Sequence, residues 1–342
     1  MDKLIIAPGT DPDQFYATGL KLHSPFITLC RGKQRWLAAA GFEYPQAATK
    51  YSADRFEDLG KTSAAVVKAF LKKHNVKQPL MPASTKARTF SLVRGAKIAD
   101  EIFPERAVKR KDEVAKIRAV QRATEDAITA VRSVLSESKI IAGKAKHYGS
   151  WLTSEFLKRT AAVELAKHNC CCPDMIISSG SQTKLPHHEG SGIIREGAVV
   201  VDVFPKSNES LYYSDCTRTF VVGSAPKSFE ERHKAVLEVH KRMSKALRHG
   251  AYNVEKTAKR VFDERGFATD YKRGIGYIHS LGHGVGLDIH ESPRLSGVLK
   301  VGNVITIEPG LYYDYGIRVE DIGLVTKTGF NNFVKLDKNP YL

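Results

Sequence analysis

Four acids stand where hydrophobic strands would otherwise run on. Asp202 follows Ala198-Val199-Val200-Val201, and Asp215 opens Asp215-Cys216-Thr217-Arg218-Thr219-Phe220. Glu308 ends Val304-Ile305-Thr306-Ile307, and Glu320 follows Ile317-Arg318-Val319. A carboxylate buried alone is costly unless a cation or donors compensate it. One such acid is ordinarily an ion pair or a strand end at the surface; four of them argue for a shared cation. A fifth element, residues 279–290, holds His279, His283 and His290, with Gly282, Gly284 and Gly286 between them. Glycine lets the backbone turn and approach closely, and imidazole is the commonest neutral metal ligand. Two Asp, two Glu and one His of this segment can bridge two divalent metals. So oxygen-rich a set suits a harder ion such as manganese better than structural zinc. Two metals roughly 3.5–4 Å apart can hold a bridging hydroxide and polarise a carbonyl, which is hydrolytic chemistry. The sequence has no H-E-x-x-H, G-x-S-x-G or P-loop, and no G-x-G-x-x-G, which disfavours a dinucleotide site.

These side chains need a scaffold of strands backed by helices. Strand-like runs cover residues 197–203, 212–222, 304–308 and 316–327. A long helix is predicted from Asp112, with Val114, Ile117, Ala127, Ile128, Val131 and Leu135 at helical spacing. A second covers 151–166. A third starts at a capping box of Ser228 and Glu231, stops at Gly250, and carries an inner stripe of Ala235, Val236, Val239, Met243 and Leu247. A fourth spans 253–266. Upstream, residues 11–104 alternate strand and helix: a hairpin of 26–30 with 35–40, a helix over 64–73, a strand over 79–83 and a helix over 85–99. Pro104 marks a break between a small α/β domain and a larger one. The alternation lacks the period of a β/α barrel, and no short repeat occurs.

The 342 residues suit two domains, and 42% hydrophobic content suffices for a real core. The apolar run at 4–7 is too short for a signal-peptide core and nothing resembles a membrane span, so a soluble, cytoplasmic protein is expected. The five cysteines include three in a row, Cys170 to Cys172, and form no C-x-x-C pair; they read as reduced thiols. The net charge of +16 is densest over 106–122 and 241–260, where acids are interspersed. That pattern favours solvated helix faces over a nucleic-acid site.

Taken in order, these motifs resemble the metallopeptidase family of methionine aminopeptidase, prolidase and Xaa-Pro aminopeptidase. The resemblance is strong over 112–335 and weaker over 11–104, where Asp11-Pro12-Asp13-Gln14-Phe15-Tyr16-Ala17-Thr18-Gly19 is similar to a creatinase-type N-terminal domain. It implies an α+β, pita-bread (creatinase/aminopeptidase-like) catalytic domain over 109–342 and a creatinase-like α/β domain over 1–108. It implies that Asp202, Asp215, His283, Glu308 and Glu320 bind two divalent metal ions, Mn²⁺ foremost, with Co²⁺, Fe²⁺ or Zn²⁺ as alternatives. By the same resemblance His187, in Leu185-Pro186-His187-His188, lines the substrate pocket, His279 lies near the site of the proline ring, and His290 contacts the scissile group. Glu308 is then expected to serve as ligand and general base, and Arg318 to orient an acidic ligand. The implied activity is hydrolysis of Xaa-Pro bonds by a metal-bridged hydroxide, on a proline-containing peptide, by a homodimer; the apolar and charge patterns above disfavour a membrane or nucleic-acid partner.

Three departures stand out. Asp202 and Asp215 are thirteen residues apart, a longer interval than the family usually shows. Pro205 and Asn208 are turn formers able to absorb the extra length, whereas a one-residue slip in strand pairing would turn an Asp away. Cys216 stands where an aliphatic residue is usual and is expected to pack as a small hydrophobe. His188 beside His187 leaves the choice of histidine open. Three alternatives compete with this reading. A metal-free creatinase-like hydrolase, and a pita-bread binding module for protein or nucleic acid, both conflict with the full ligand set. A methionine aminopeptidase conflicts with the N-terminal domain and with Arg318-Val319-Glu320-Asp321.

Overall fold

The computed structural model describes residues 1–56 and 64–342. The chain divides into two compact units, Met1–Pro104 and Glu105–Leu342.

The first unit is built on a six-stranded sheet in the order Ser52–Phe56, Gln34–Ala40, Phe26–Arg31, Lys3–Ala7, Leu80–Pro82, Lys97–Ala99. The hairpin of Phe26–Arg31 with Gln34–Ala40 turns at Gly32, whose φ of 59° suits glycine. Leu4, Ile27, Leu29 and Ala38 share a core with Val67 and Phe70, the buried side of the helix Ala64–Lys73. The helix expected over 85–99 does not form. One helical turn, Ala87–Phe90, is followed by Gly95 at φ +81°, and Lys97–Ala99 joins the sheet beside Leu80–Pro82. A left-handed residue ends a helix, and strand pairing takes up the backbone groups that a helix would have used.

The second unit consists of two helix-and-sheet halves. In one, the long helix Lys111–Ser136 buries Ile117, Val120, Thr124, Ala127, Val131 and Leu135 at intervals of three and four, with Ile128 beside them. It packs with the helix Ser154–Lys167 against the antiparallel strands Ile176–Ser179, Gly197–Val203 and Cys216–Val222. The second helix starts later than expected: Trp151 lies in a short strand, and the Thr153 hydroxyl caps by accepting the Phe156 N–H at 3.2 Å.

In the other half, the helices Phe229–Ala246 and Val254–Glu264 cover strands Glu291–Arg294, His283–Gly284, Val304–Ile307, Asp321–Val325 and Phe330–Asn332, together with the ribbon of Gly310–Tyr312 and Gly316–Arg318. The capping box at Ser228 is absent, because Ser228 sits at φ +60° and its side chain makes no capping bond. The helix ends at Ala246, before Gly250, whose N–H instead donates to Leu299 O at 2.9 Å. The run expected over 316–327 splits in two at Val319–Glu320, and the run over 212–222 becomes a strand only from Cys216.

Candidate metal centre

Strand register decides which way the acids face. Asp202 pairs with Thr217, and Asp215 precedes Thr217 by two residues. Directly opposed residues and residues two apart share one face of a sheet, so Asp202 and Asp215 point the same way. The long interval between them is taken up as a ribbon. Lys206 bridges Tyr213, the Ser207 N–H donates to Tyr212 O at 3.0 Å, and the Ser214 N–H donates to Pro205 O at 3.1 Å. The added length therefore projects from the sheet without shifting its register. In the other half the ladder of Val304–Ile307 with Asp321–Val325 ends at the pair Ile307 and Asp321, and Glu308 and Glu320 lie just beyond it. The Glu320 N–H donates to Thr217 O at 3.0 Å, joining the two sheets where their acids meet.

Asp215, His283 and Glu320 bring one ligand atom each within 4.8 Å of one another. His283 Nε2 lies 3.6 Å from Asp215 Oδ2 and 3.4 Å from Glu308 Oε1. Asp202 and Glu308 stand outside the tight triad, and Asp202 Oδ2 is ion-paired with Arg318 Nη2. Thr217 Oγ1 donates to Glu320 Oε2 at 2.7 Å and accepts from Arg318 Nε at 3.2 Å. Arg318 therefore reaches Asp202 directly and Glu320 through one hydroxyl.

The site is short of positive charge. Burial, followed by repulsion from Glu320, Asp202 and Glu308, pushes the Asp215 carboxyl well above the usual range. Burial, followed by Glu308 and Asp202, does the same to Glu320. Burial lifts Glu308 to about 8, with Asp202 adding to the rise and Arg318 opposing it. Asp202 Oδ1 and Asp215 Oδ1 are buried without a hydrogen-bond donor. A divalent cation is the chemistry that such a donor set lacks. His283 fits as a ligand. Burial and the neighbouring His290 lower it to about 4, so it is neutral. Its Nδ1 lies 3.2 Å from Gly284 O and must carry the proton there, which leaves the Nε2 lone pair toward the acids.

The remaining predicted residues border this centre. The His290 ring stands 4.2 Å from that of His283, at 79°. His279 Nδ1 faces Ser280 O at 2.8 Å, so its Nε2 accepts from the Tyr312 hydroxyl at 3.0 Å. That hydroxyl accepts in turn from Arg318 Nη1 at 2.9 Å. Burial, then Arg318, lowers His279 to about 3. A cavity of about 440 Å³ is lined by Leu185, Pro186, His187, His188, Ile278 and His279. His188 Nδ1 accepts the Gly190 N–H at 3.0 Å and is tied to its own loop. His187 is near enough to both His279 and His290 to oppose their protonation. Cys216 is fully buried, its Sγ donating to Glu320 O at 3.4 Å.

The sequence reading missed Thr217, Tyr312 and Arg218. Thr217 was within reach, since it alternates with Asp215 on one strand face. Tyr312 had no local signal. Arg218 is buried, with Nη1 donating to Glu320 O at 2.6 Å and Thr217 O at 2.9 Å; its partners come from distant segments.

Residues 115–327 match the model of metallopeptidase family M24. The chain is 36% identical over 289 residues to the Xaa-Pro dipeptidase of Pyrococcus furiosus, covering 82% of this chain and 73% of that protein. Among solved structures it resembles the prolidase from Pyrococcus horikoshii OT3, with a TM-score of 0.82, 26% identity and 99% and 94% of the two chains covered. It also resembles the prolidase from Pyrococcus furiosus, with a TM-score of 0.81, 27% identity and 98% and 96% covered.

Proposed function

The chain belongs to metallopeptidase family M24, and from that premise we propose that it hydrolyses the bond before proline in Xaa-Pro peptides. Asp202, Asp215, His283, Glu308 and Glu320 would hold two divalent metal ions, with manganese favoured by the preponderance of carboxylate oxygens. The observation that carries this reading is the group of buried, undercompensated acids beside a neutral His283, bordered by a histidine-lined apolar cavity. The names of the relatives, Xaa-Pro dipeptidase and prolidase, support the choice of substrate.

When bound, the two ions supply acidification of a water and polarisation of the scissile carbonyl. The geometry supports the following part for the protein's own residues. Glu308 accepts the proton of the attacking water and passes it toward the leaving proline nitrogen. His290, facing the centre across His283, donates to the carbonyl oxygen as negative charge develops. His187 and His279 flank the cavity that takes the proline ring, with His279 oriented by Tyr312. Arg318 fixes Asp202 and, through Thr217, Glu320.

Glu308→Gln keeps the shape and removes the base. Turnover of a Xaa-Pro dipeptide should fall by about 10²–10⁴-fold, and undiminished kcat would refute the role. A panel of Xaa-Pro dipeptides against longer Xaa-Pro peptides, with Mn²⁺, Co²⁺, Fe²⁺ or Zn²⁺ returned to chelated protein, distinguishes dipeptidase from aminopeptidase action. We further read the enzyme as a cytoplasmic homodimer. Among the described residues no helix is long and apolar enough to cross a membrane, and sedimentation equilibrium tests the dimer.

A further inference from the structure

Glu291 follows His290 directly and lies among charges for which the chemistry above has no use. Its Oε1 accepts from Lys109 Nζ at 2.6 Å, and its Oε2 accepts from Arg106 Nη2 at 2.6 Å and from the Asp288 N–H at 3.2 Å. Arg106 Nη2 also reaches Asp288 Oδ2 at 2.7 Å, and Lys109 Nζ donates to Arg106 O at 2.7 Å. The Lys109 side chain is only 1% exposed and that of Glu291 only 9%. The segment bearing the two cations is itself fixed: the Lys109 N–H donates to Gly302 O at 2.8 Å, and Asn303 Nδ2 donates to Ala107 O at 2.7 Å.

The loop around the carboxylate is shaped to admit it. A Cβ on Gly286 would come within 2.2 Å of Glu291 Oε1, so a larger residue there would have to displace the carboxylate. The Gly286 N–H closes onto Asp288 O at 3.0 Å, while Gly286 O accepts the Tyr213 N–H at 2.8 Å. The Glu291 carboxylate thus fills the inside of a short loop whose other product is the placement of the His290 ring.

Stability alone is a poor reason for this arrangement, because buried ion pairs repay little beyond their own desolvation. Donors converging on one carboxylate do fix its plane, and with it the backbone on either side. We propose that Arg106, Lys109 and Glu291 form a brace that positions His290 against the scissile carbonyl, a role that rests on the reading of His290 given above. Glu291 is a positioning residue and touches neither substrate nor metal.

The test is a double-mutant cycle on a Xaa-Pro dipeptide, with Glu291→Gln made in the wild-type and His290→Ala backgrounds and Mn²⁺ uptake followed by calorimetry. In the wild type, Glu291→Gln should lower kcat by up to about 10²-fold, the size expected of a slight misplacement of a reacting group, with KM and Mn²⁺ affinity unchanged. In the His290→Ala background it should have no further effect on kcat. Equal losses in the two backgrounds, an unchanged kcat, or weakened Mn²⁺ uptake would overturn the brace. Should Glu291→Gln fail to fold, Arg106→Gln, which leaves Lys109 on the carboxylate, is read by the same criteria. If His290→Ala itself keeps full kcat, the reading of His290 fails and the brace with it. If His290→Ala loses kcat while neither brace variant does, the brace alone fails.

Discussion

Glu320 and Asp321 are chain neighbours, both almost wholly buried, and they stand in opposite electrostatic surroundings. Around Glu320 the other charges are mainly acids, and its carboxyl is pushed well above the usual range by burial, Glu308 and Asp202. Asp321 meets Arg218 Nη2 at 2.8 Å, Lys338 Nζ at 2.6 Å, His240 Nε2 at 3.1 Å and Asn332 Nδ2 at 2.6 Å. Against the cost of burial, His240, Arg218 and Lys338 hold Asp321 well below the carboxylate range. One acid is satisfied by the protein and the other is not. Burial of a charge therefore does not by itself mark a site; burial without internal compensation does.

The largest expected effect tests that distinction. Asp321→Asn leaves the buried Arg218, with the partly exposed Lys338, around a neutral group and should cost about 3–5 kcal/mol in urea unfolding. Glu320→Gln, measured in chelator, removes one of several repelling acids and should leave stability unchanged or raised. If the two variants lose the same stability in chelator, the contrast is wrong.

The pH dependence of stability should separate the two regions next. Glu308 lies at about 8 in the metal-free fold, against 4.5 as its ordinary value. A raised carboxyl favours the fold while it is protonated in the native state, so chelated protein should lose stability as pH rises from 4.5 toward 8. Asp321 has the opposite sign. Its contribution is complete above its ordinary value of 3.8 and is lost as pH falls below that. Denaturant midpoints across pH, with and without Mn²⁺, check both limbs. The slope on the alkaline side should flatten when Mn²⁺ is present, and a slope indifferent to the metal would count against Glu308 as a ligand.

How much of this was legible in the sequence follows the same divide. Asp202, Asp215, Glu308 and Glu320 were visible because each breaks a hydrophobic strand, and strand alternation is a short-range pattern. Asp321 shows the limit, since nothing near it in the chain announces that Lys338, His240 and Arg218 surround it. Saturation is a property of the fold, and only the three-dimensional partners reveal it. The helix expected over 85–99 fails for a related reason. The left-handed turn at Gly95 and the pairing of Lys97–Ala99 with Leu80–Pro82 outweigh a local helical pattern. Ser228 likewise looked like a cap until its own φ of +60° placed it outside capping geometry. His187 and His188 were indistinguishable by type; the Gly190 N–H on His188 Nδ1 sets them apart.

The smallest expected effect falls on the seam between the two regions. Thr217 Oγ1 donates a hydrogen bond to Glu320 and accepts one from Arg318, so it carries the link from Asp202 to Glu320. Thr219, two residues on, also bonds to Arg318, but only to its backbone, accepting from N at 3.0 Å and donating to O at 2.9 Å. Valine matches threonine in shape and lacks the hydroxyl. Thr217→Val should weaken Mn²⁺ affinity by about tenfold, at the low end for loss of a group that orients a ligand. Thr219→Val should lower stability by about 1 kcal/mol, the usual worth of a buried hydrogen bond, and leave Mn²⁺ affinity unchanged. Titration calorimetry with Mn²⁺ and urea unfolding in chelator read the two quantities separately. If the variants prove interchangeable, the hydroxyl of Thr217 acts only in holding the sheets together, and Arg318 governs Asp202 without reaching Glu320.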